Sequence, residues 1–234
     1  MPLLLILLVI AGGLVFWLGR RQLRLRREAY IRHAVLPKGL FEKLMKRHPQ
    51  LTRKDCQLVA QGLRQFFLAH LNSGLQFVSM PSQVTDDLWH EFILYTRHYE
   101  VFCQKAFGRF MHHTPAAVFS SDKAGNEGLR RCWWHACREE NIDPRTPSRL
   151  PLLFALDAKL HVADGFVYQP DCSGVRRTDP GAQGGTTYCG GDFISDAYDG
   201  GTDGFGDGGS DSGGGGGGDG GGGCGGGCGG GGGD

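Results

Sequence analysis

One aspartate and two histidines in the middle of the chain could together hold a metal ion or move a proton. Asp86 precedes His90 by four residues, about one helical turn, so a carboxylate and an imidazole would lie side by side on a helix. His113, or its neighbour His112, follows a turn at Gly108 and could fold back toward that helix. Imidazole with carboxylate is a normal ligand set for zinc or iron, and it also suits acid–base chemistry. The pattern predicts a site for a divalent transition metal at Asp86, His90 and His113.

The same three residues also have a purely structural interpretation. Asp86 and His90 could form a surface pair, and His113 could satisfy the end of a chain segment. His90-Glu91 begins like the metalloprotease motif HExxH, but the next required histidine is replaced by Leu94, so that motif is absent. Spacing alone leaves both interpretations open.

The segment that would position this site has the periodicity of one long helix. Its apolar residues recur at helical spacing and define a broad face: Val84, Leu88, Trp89, Phe92, Tyr95, Tyr99, Phe102, Cys103, Ala106 and Phe107. Ser82 or Thr85 could cap its start, and Gly108 could end it in a left-handed turn. We predict a single central helix over this segment, with Trp89 at the core margin and His90 directed away from the core.

The remaining patterns predict an all-α domain over residues 34–170. Segments of helical periodicity lie at residues 38–48, 55–71, 122–141 and 150–162, separated by proline, glycine and asparagine. From residue 171 onward the composition is dominated by glycine, which cannot form a core, so residues 171–234 are predicted to be a disordered Gly/Asp-rich tail.

The N-terminus has the composition of a membrane-spanning helix. Residues 3–18 carry no charge, and with their neighbours they would extend about 27 Å as a helix, just enough to cross a bilayer. Five arginines follow between Arg20 and Arg27, and no positive residue precedes the apolar run. We predict a transmembrane helix at residues 1–19 and a basic juxtamembrane helix at residues 20–33. The positive-inside rule puts the N-terminus outside and the domain in the cytoplasm, which favours a retained anchor over a cleaved signal peptide.

Charge and cysteine usage limit the classes of partner. The net charge is +1, but the nine aspartates after Arg177 give the tail −9 and leave +10 on the rest. The arginine cluster lacks interleaved aromatic residues, so we expect contact with a lipid bilayer rather than nucleic acid, and with another membrane or cytoplasmic protein. Cys56, Cys103 and Cys132 lie in helical patterns and should be buried and reduced, in agreement with a cytoplasmic domain.

Residues around the predicted site resemble a known family. The pattern Asp86-x-x-Trp89-His90, followed by Tyr99, Cys103, Gly108 and His113, is similar to the signature of the glycine-rich domain-containing protein-like family. The similarity covers roughly residues 75–115, and a second histidine that is often found in the family is replaced here by Phe92. The resemblance implies no particular reaction, since that family has no settled biochemical activity.

Two functional classes follow from these observations. The first is a membrane-anchored cytoplasmic helical module that binds or scaffolds a partner and has no catalytic role of its own. The second is a metal-dependent enzyme, for example a hydrolase, that uses Asp86, His90 and His113. No phosphate-binding loop, dinucleotide fingerprint or nucleophile constellation supports a more specific reaction.

Overall fold

The computed structural model describes residues 2–113, 123–170 and 187–189. Within these residues the chain is mostly helical, with one small sheet. The elements in chain order are α1 Pro2–His33, α2 Leu40–Arg47, α3 Arg53–Asn72, α4 Gln83–Ile93, α5 Thr96–Phe107, α6 Lys123–Glu139, α7 Leu152–Lys159, β1 Val167–Gln169 and β2 Thr187–Cys189. The predicted helical domain is confirmed in its class, and the predicted helix bounds differ from the observed ones by a few residues at each end.

Helix α1 has two halves with different surroundings. Its apolar half is solvent-exposed throughout, with Val9 at 74% and Trp17 at 55%. Its basic half packs on the body: Ile31 is fully buried, and the ring of Tyr30 lies 5.8 Å from the ring of Phe102 in α5. The predicted transmembrane and juxtamembrane segments therefore form one continuous helix. Among the described residues, this is the helix that is long and apolar enough to cross a membrane, and a signal sequence has the same length and composition.

The central element is α3, which corrects the prediction that the segment after Ser82 lies at the centre. Helix α3 contacts α1, α2, α4, α6 and α7, and it buries residues around most of its circumference. A helix that is apolar on nearly all sides must be surrounded by others. Its start is a capping box, in which Thr52 and Asp55 satisfy each other's backbone N–H groups.

The predicted single helix from Val84 to Phe107 is wrong, because the chain turns at Leu94 and Tyr95 and begins a new helix, α5. The turn allows the Trp89 indole N–H to donate to the Tyr99 hydroxyl at 3.1 Å. In an unbroken helix these residues would be about 15 Å apart along the axis. The helical spacing was misleading because both short helices bury apolar faces of the same period. Their buried residues are those expected, including Trp89.

Other local predictions are confirmed. Ser82 caps α4 by accepting the Thr85 N–H, and Gly108 ends α5 with a φ of 76°. The predicted cysteines, Cys56, Cys103 and Cys132, are buried and free. These aromatic and sulfur-containing faces form the core, so the aromatic residues of α4 and α5 are not an adhesive surface.

A short parallel sheet lies against α7. In it β1 pairs with β2, with Tyr168 opposite Tyr188. The prediction of disorder from residue 171 onward is therefore wrong for Thr187–Cys189, because this stretch of β-branched and aromatic residues supplies backbone partners for β1. The rest of the predicted tail lies outside the described residues.

Candidate functional site

Helix α4 is held at its N-terminus by a carboxylate from another helix. Asp157 of α7 is 2% exposed, and its Oδ1 accepts from the Ser82 hydroxyl at 2.8 Å and the Val84 N–H at 3.1 Å. Its Oδ2 accepts from the Gln83 N–H at 2.7 Å and the Phe166 N–H at 2.9 Å. A carboxylate at this position satisfies free N–H groups and complements the positive end of the helix dipole. The interaction fixes the start of the helix that carries Asp86 and His90.

A buried chain of hydrogen bonds brings His113 to α4. The Trp89 indole donates to Tyr99, and the Tyr99 hydroxyl donates to the Met111 carbonyl at 2.7 Å. Cys103 also lies against Met111, and burial raises the pKa of its thiol. The segment after Gly108 is therefore tied back to the helix pair just before His113. Several residues of the pattern that suggested a family share one physical role, because they hold the turn after α5 closed: Trp89, Tyr99, Cys103 and Gly108.

The structure brings Asp86, His90 and His113 together. His113 Nε2 lies 2.9 Å from Asp86 Oδ1, and His90 Nδ1 lies 3.3 Å from Asp86 Oδ2. The two imidazole rings are 4.1 Å apart between centroids, and the His113 ring also meets the edge of the Trp89 indole at 4.6 Å. We call these three residues the His–Asp cluster. Their convergence fulfils the geometric requirement for a shared site.

The His–Asp cluster could hold a divalent transition metal. One ligand atom from each residue lies within 4.8 Å of the other two. Zinc bound by nitrogen and oxygen at about 2.0–2.2 Å needs ligand atoms roughly 3.3 Å apart, so small side-chain movements would suffice. Asp86 and His113 have side chains that are mostly shielded, at 18% and 11% exposure, whereas the His90 side chain is 43% exposed. Three protein ligands with one accessible side resemble a catalytic zinc site that keeps a position for water.

The structure excludes two other histidines from the cluster. His98 on α5 is exposed and lies edge-on to Tyr95, with ring centroids 6.4 Å apart. The ring of His112 lies 4.9 Å from that of Phe110. The choice between His112 and His113, which the sequence left open, is therefore settled in favour of His113 as the cluster residue.

The neighbouring carboxylate, Asp87, has a different role that the sequence analysis missed. It is 2% exposed, and its Oδ2 lies 2.7 Å from His48 Nε2 while its Oδ1 lies 3.1 Å from Arg47 Nη2. These contacts join α4 to the end of α2. Asp157 was also missed, although a lone acidic residue inside the apolar segment at residues 150–162 was a usable signal for a buried cap.

Two further histidines are held neutral inside the fold. The Nδ1–H of His70 donates a hydrogen bond to the Gln76 carbonyl, 2.8 Å away, and burial lowers the pKa of this imidazole. Burial, and then the positive charges of Arg24 and Arg138, lower the pKa of His135 to about 4. Both are packing residues of the folded body.

Comparison with known proteins gives a family without a described activity. No curated protein matches the chain, and no solved structure matches it. Residues 26–193, more than two thirds of the chain, match the UCP032817-like family. The match begins within the basic half of α1 and runs past β2. It replaces the resemblance to the glycine-rich domain-containing protein-like family, which is wrong, because a match over the whole folded body outweighs a few spaced residues. The chain belongs to the UCP032817-like family.

Proposed function

We propose that this protein is a membrane-anchored helical module whose body lies in the cytoplasm and binds another membrane or cytoplasmic protein. One observation carries the proposal: α1 continues without interruption from an exposed apolar half to a basic half that packs on the body. Exposed apolar side chains over about 27 Å are costly in water and favourable in a bilayer.

The arrangement of charge supports the proposed topology. The arginines that follow the apolar half, beginning with Arg20 and Arg21, are exposed where they would meet phospholipid headgroups. Positive residues are retained on the cytoplasmic side of a span, and they attract anionic lipids of that leaflet. Lipid is thus the proposed partner for this cluster, in place of nucleic acid.

A surface at the far end of α1 is suited to the proposed partner protein. Val35 is 93% exposed, and it borders a cavity of about 360 Å³ that is lined mainly by the segment between His33 and Phe41. Arg64 and the ion pair of Arg53 with Glu42 also line the cavity, which leaves it with a net positive charge. An apolar protrusion beside a positively charged hollow fits a partner segment that has both apolar and acidic side chains.

Membrane extraction tests the anchor. The full chain should stay in the membrane pellet after treatment with alkaline carbonate, and Leu7→Arg combined with Leu14→Arg should release it, because two charges inside the span oppose insertion. Gly12→Leu is the matched control, since no other atom lies within 4 Å of a side chain at that position. Release of the unaltered chain would contradict the proposal. A tag at the C-terminus that is digested from outside sealed cells would contradict the topology.

Co-purification tests the binding surface. Val35→Ser should reduce the recovery of the partner, while Val101→Ser, at a side chain of 46% exposure on α5, should leave recovery unchanged. Both variants should remain in the membrane pellet. Equal recovery of the partner with the two variants would show that Val35 is not part of the binding surface.

The second candidate is a metal-dependent enzyme, and the observation that favours it is the convergence of the His–Asp cluster. A bound divalent ion could lower the pKa of a water molecule and so supply a nucleophile for hydrolysis. The role of the chain would be to hold the ion with Asp86 and His113 on the shielded side and His90 at the opening.

Metal binding by the purified full chain tests this candidate. Cobalt(II) should bind at one ion per chain with the visible absorption of a tetrahedral site, and His90→Ala and Asp86→Asn should lose it. His98→Ala removes an exposed imidazole outside the cluster and should bind normally. Binding that is substoichiometric, or that is the same in all variants, would contradict a metal site. Loss at low pH is also expected, because the ligands must be deprotonated.

A further inference from the structure

The direction of α1 on the body decides which end of the body lies nearest the apolar half. Arg24 donates to the Asn72 side chain at 2.9 Å, at the end of α3, whereas Arg64 in the middle of α3 donates to the Ala34 carbonyl at 3.0 Å. Helix α1 is therefore antiparallel to α3. Its Arg27 guanidinium lies against Gly108, at the end of α5. The C-termini of α3 and α5 consequently point toward the apolar half.

The loops after these two helices form one surface, which we call the span-proximal end and define as residues 73–80 and 108–110. The two loops are joined because Arg109 donates to the Leu75 carbonyl. Leu75 has a φ of 63° and its N–H donates to the His70 carbonyl, so this loop has a fixed shape. Arg131 of α6 donates to the Phe77 carbonyl at 2.7 Å and braces the loop from the other side.

The span-proximal end presents an exposed aromatic side chain next to positive charge. Phe77 is 38% exposed, whereas the ring of Phe110 packs 5.3 Å from that of Tyr99, back along α5 and away from the apolar half. Exposed arginines of α1, including Arg20 and Arg21, stand between this end and the apolar half. The nearby carboxylate of Glu28 is paired with Arg24. Aromatic rings beside arginines are typical of residues that occupy the boundary between lipid and water.

The distance along α1 fits contact with a bilayer. Arg24, which holds the end of α3, is six residues beyond Leu18, or about 9 Å along the helix axis. The headgroup layer on each side of the hydrocarbon is about 5–8 Å thick. The loop after α3 begins at this level of α1, and an ordinary helix tilt of about 20° would bring one side of the body closer to the bilayer.

We infer that the span-proximal end rests on the anionic headgroups of the bilayer that α1 enters, with the Phe77 side chain at the lipid–water interface. The inference rests on the proposed membrane anchor. It adds a second contact to the single span, so that the body has one fixed orientation on the membrane instead of swinging about its tether. In that orientation the surface around Val35, at the far end of the docked helix, is directed away from the membrane.

Site-specific photo-crosslinking of the full chain tests the inference. The probe p-benzoylphenylalanine is placed, one position at a time, at Val9, Phe77 or Val35, and the chain is reconstituted in nanodiscs of phosphatidylcholine with phosphatidylglycerol. Lipid adducts are then measured by mass spectrometry. Val9 reports the span, and Val35 is an exposed control about 25 Å beyond Leu18 along α1 and the segment that follows it.

The expected result is lipid adduct at Val9 and Phe77, with yields several-fold above that at Val35. The yield at Phe77 should fall in nanodiscs of phosphatidylcholine alone, and the yield at Val9 should not change. Adduct at Val9 with only the Val35 level at Phe77 would overturn the inference and leave the anchor intact. Absence of adduct at Val9 would overturn the anchor, and with it this inference.

Discussion

Replacing Asp157 by asparagine should strongly destabilise the body, because this carboxylate satisfies the start of α4 from another helix. Asparagine keeps one acceptor oxygen. That oxygen can accept from the donors that now bond to Oδ1, or from those that bond to Oδ2, but not from both pairs. The less costly orientation places its amide toward Ser82 and Val84, where the serine hydroxyl can turn to accept. The buried Val84 N–H then faces another donor and loses its partner.

The magnitude follows from these contacts. An unsatisfied buried donor costs about 1–3 kcal/mol. The three remaining hydrogen bonds, to Ser82, Gln83 and Phe166, lose their charged partner, at a cost of about 1 kcal/mol each. Loss of the negative charge at the helix N-terminus adds about 0.5–1 kcal/mol. We therefore expect Asp157→Asn to lower the free energy of unfolding by about 4.5–7 kcal/mol, which corresponds to roughly 15 °C in Tm for a domain of this size.

Thermal unfolding of the full chain in a mild detergent, followed by near-ultraviolet circular dichroism, measures this change. Asp164→Asn is the control, because it makes the same chemical change on an exposed residue in the same region and should alter stability by less than about 0.5 kcal/mol. If the two variants melt at the same temperature, Asp157 does not hold α4 and the account of how the site is positioned is wrong.

Three further predictions concern the same fold. Tyr99→Phe should cost about 2–4 kcal/mol, because the Met111 carbonyl and the buried indole N–H lose their partner, while Tyr95→Phe, which removes a more exposed bond, should cost less than about 1 kcal/mol in the same melting experiment. Between pH 6.5 and 4 the body should lose stability as the pH falls, because His135 takes up a proton in the unfolded chain at its ordinary pKa but in the folded chain only near pH 4. Chemical denaturation at several pH values in this range should show the free energy of unfolding falling with pH. His135→Gln should reduce that slope by up to about 1.4 kcal/mol per pH unit. Gly108→Ala should cost at least about 1–2 kcal/mol in chemical denaturation, because φ is 76° and the added methyl group meets a guanidinium; an unchanged midpoint would mean that the turn before His113 is not constrained.

Local signals in the sequence predicted much of this structure. Capping at Ser82, the turn at Gly108, the burial of Trp89 and the apolar N-terminal helix follow from short-range rules about helix ends and hydrophobic period. The site prediction also came from one local spacing, Asp86 and His90, together with a turn that could return His113.

The features that the sequence analysis predicted wrongly or missed depend on contacts between parts of the fold, which a local sequence pattern does not specify. The turn at Leu94 carries no glycine or proline, and the hydrogen bond that it permits joins Trp89 to Tyr99, ten residues later in the chain. The central position of α3 depends on how many helices pack around it, which its own period does not specify. Asp157 caps a helix that begins about 75 residues earlier in the chain, so only the assembled fold reveals its role.

Whether α1 remains part of the mature chain is the question on which the account depends. Intact-mass measurement of the protein extracted from membranes of its own host answers it most directly. The account predicts a chain that retains the apolar residues from Leu4 to Leu18, close to the full 25.4 kDa, in the carbonate-resistant membrane fraction. A shorter chain that begins after Gly19 and is recovered in the soluble fraction would contradict it.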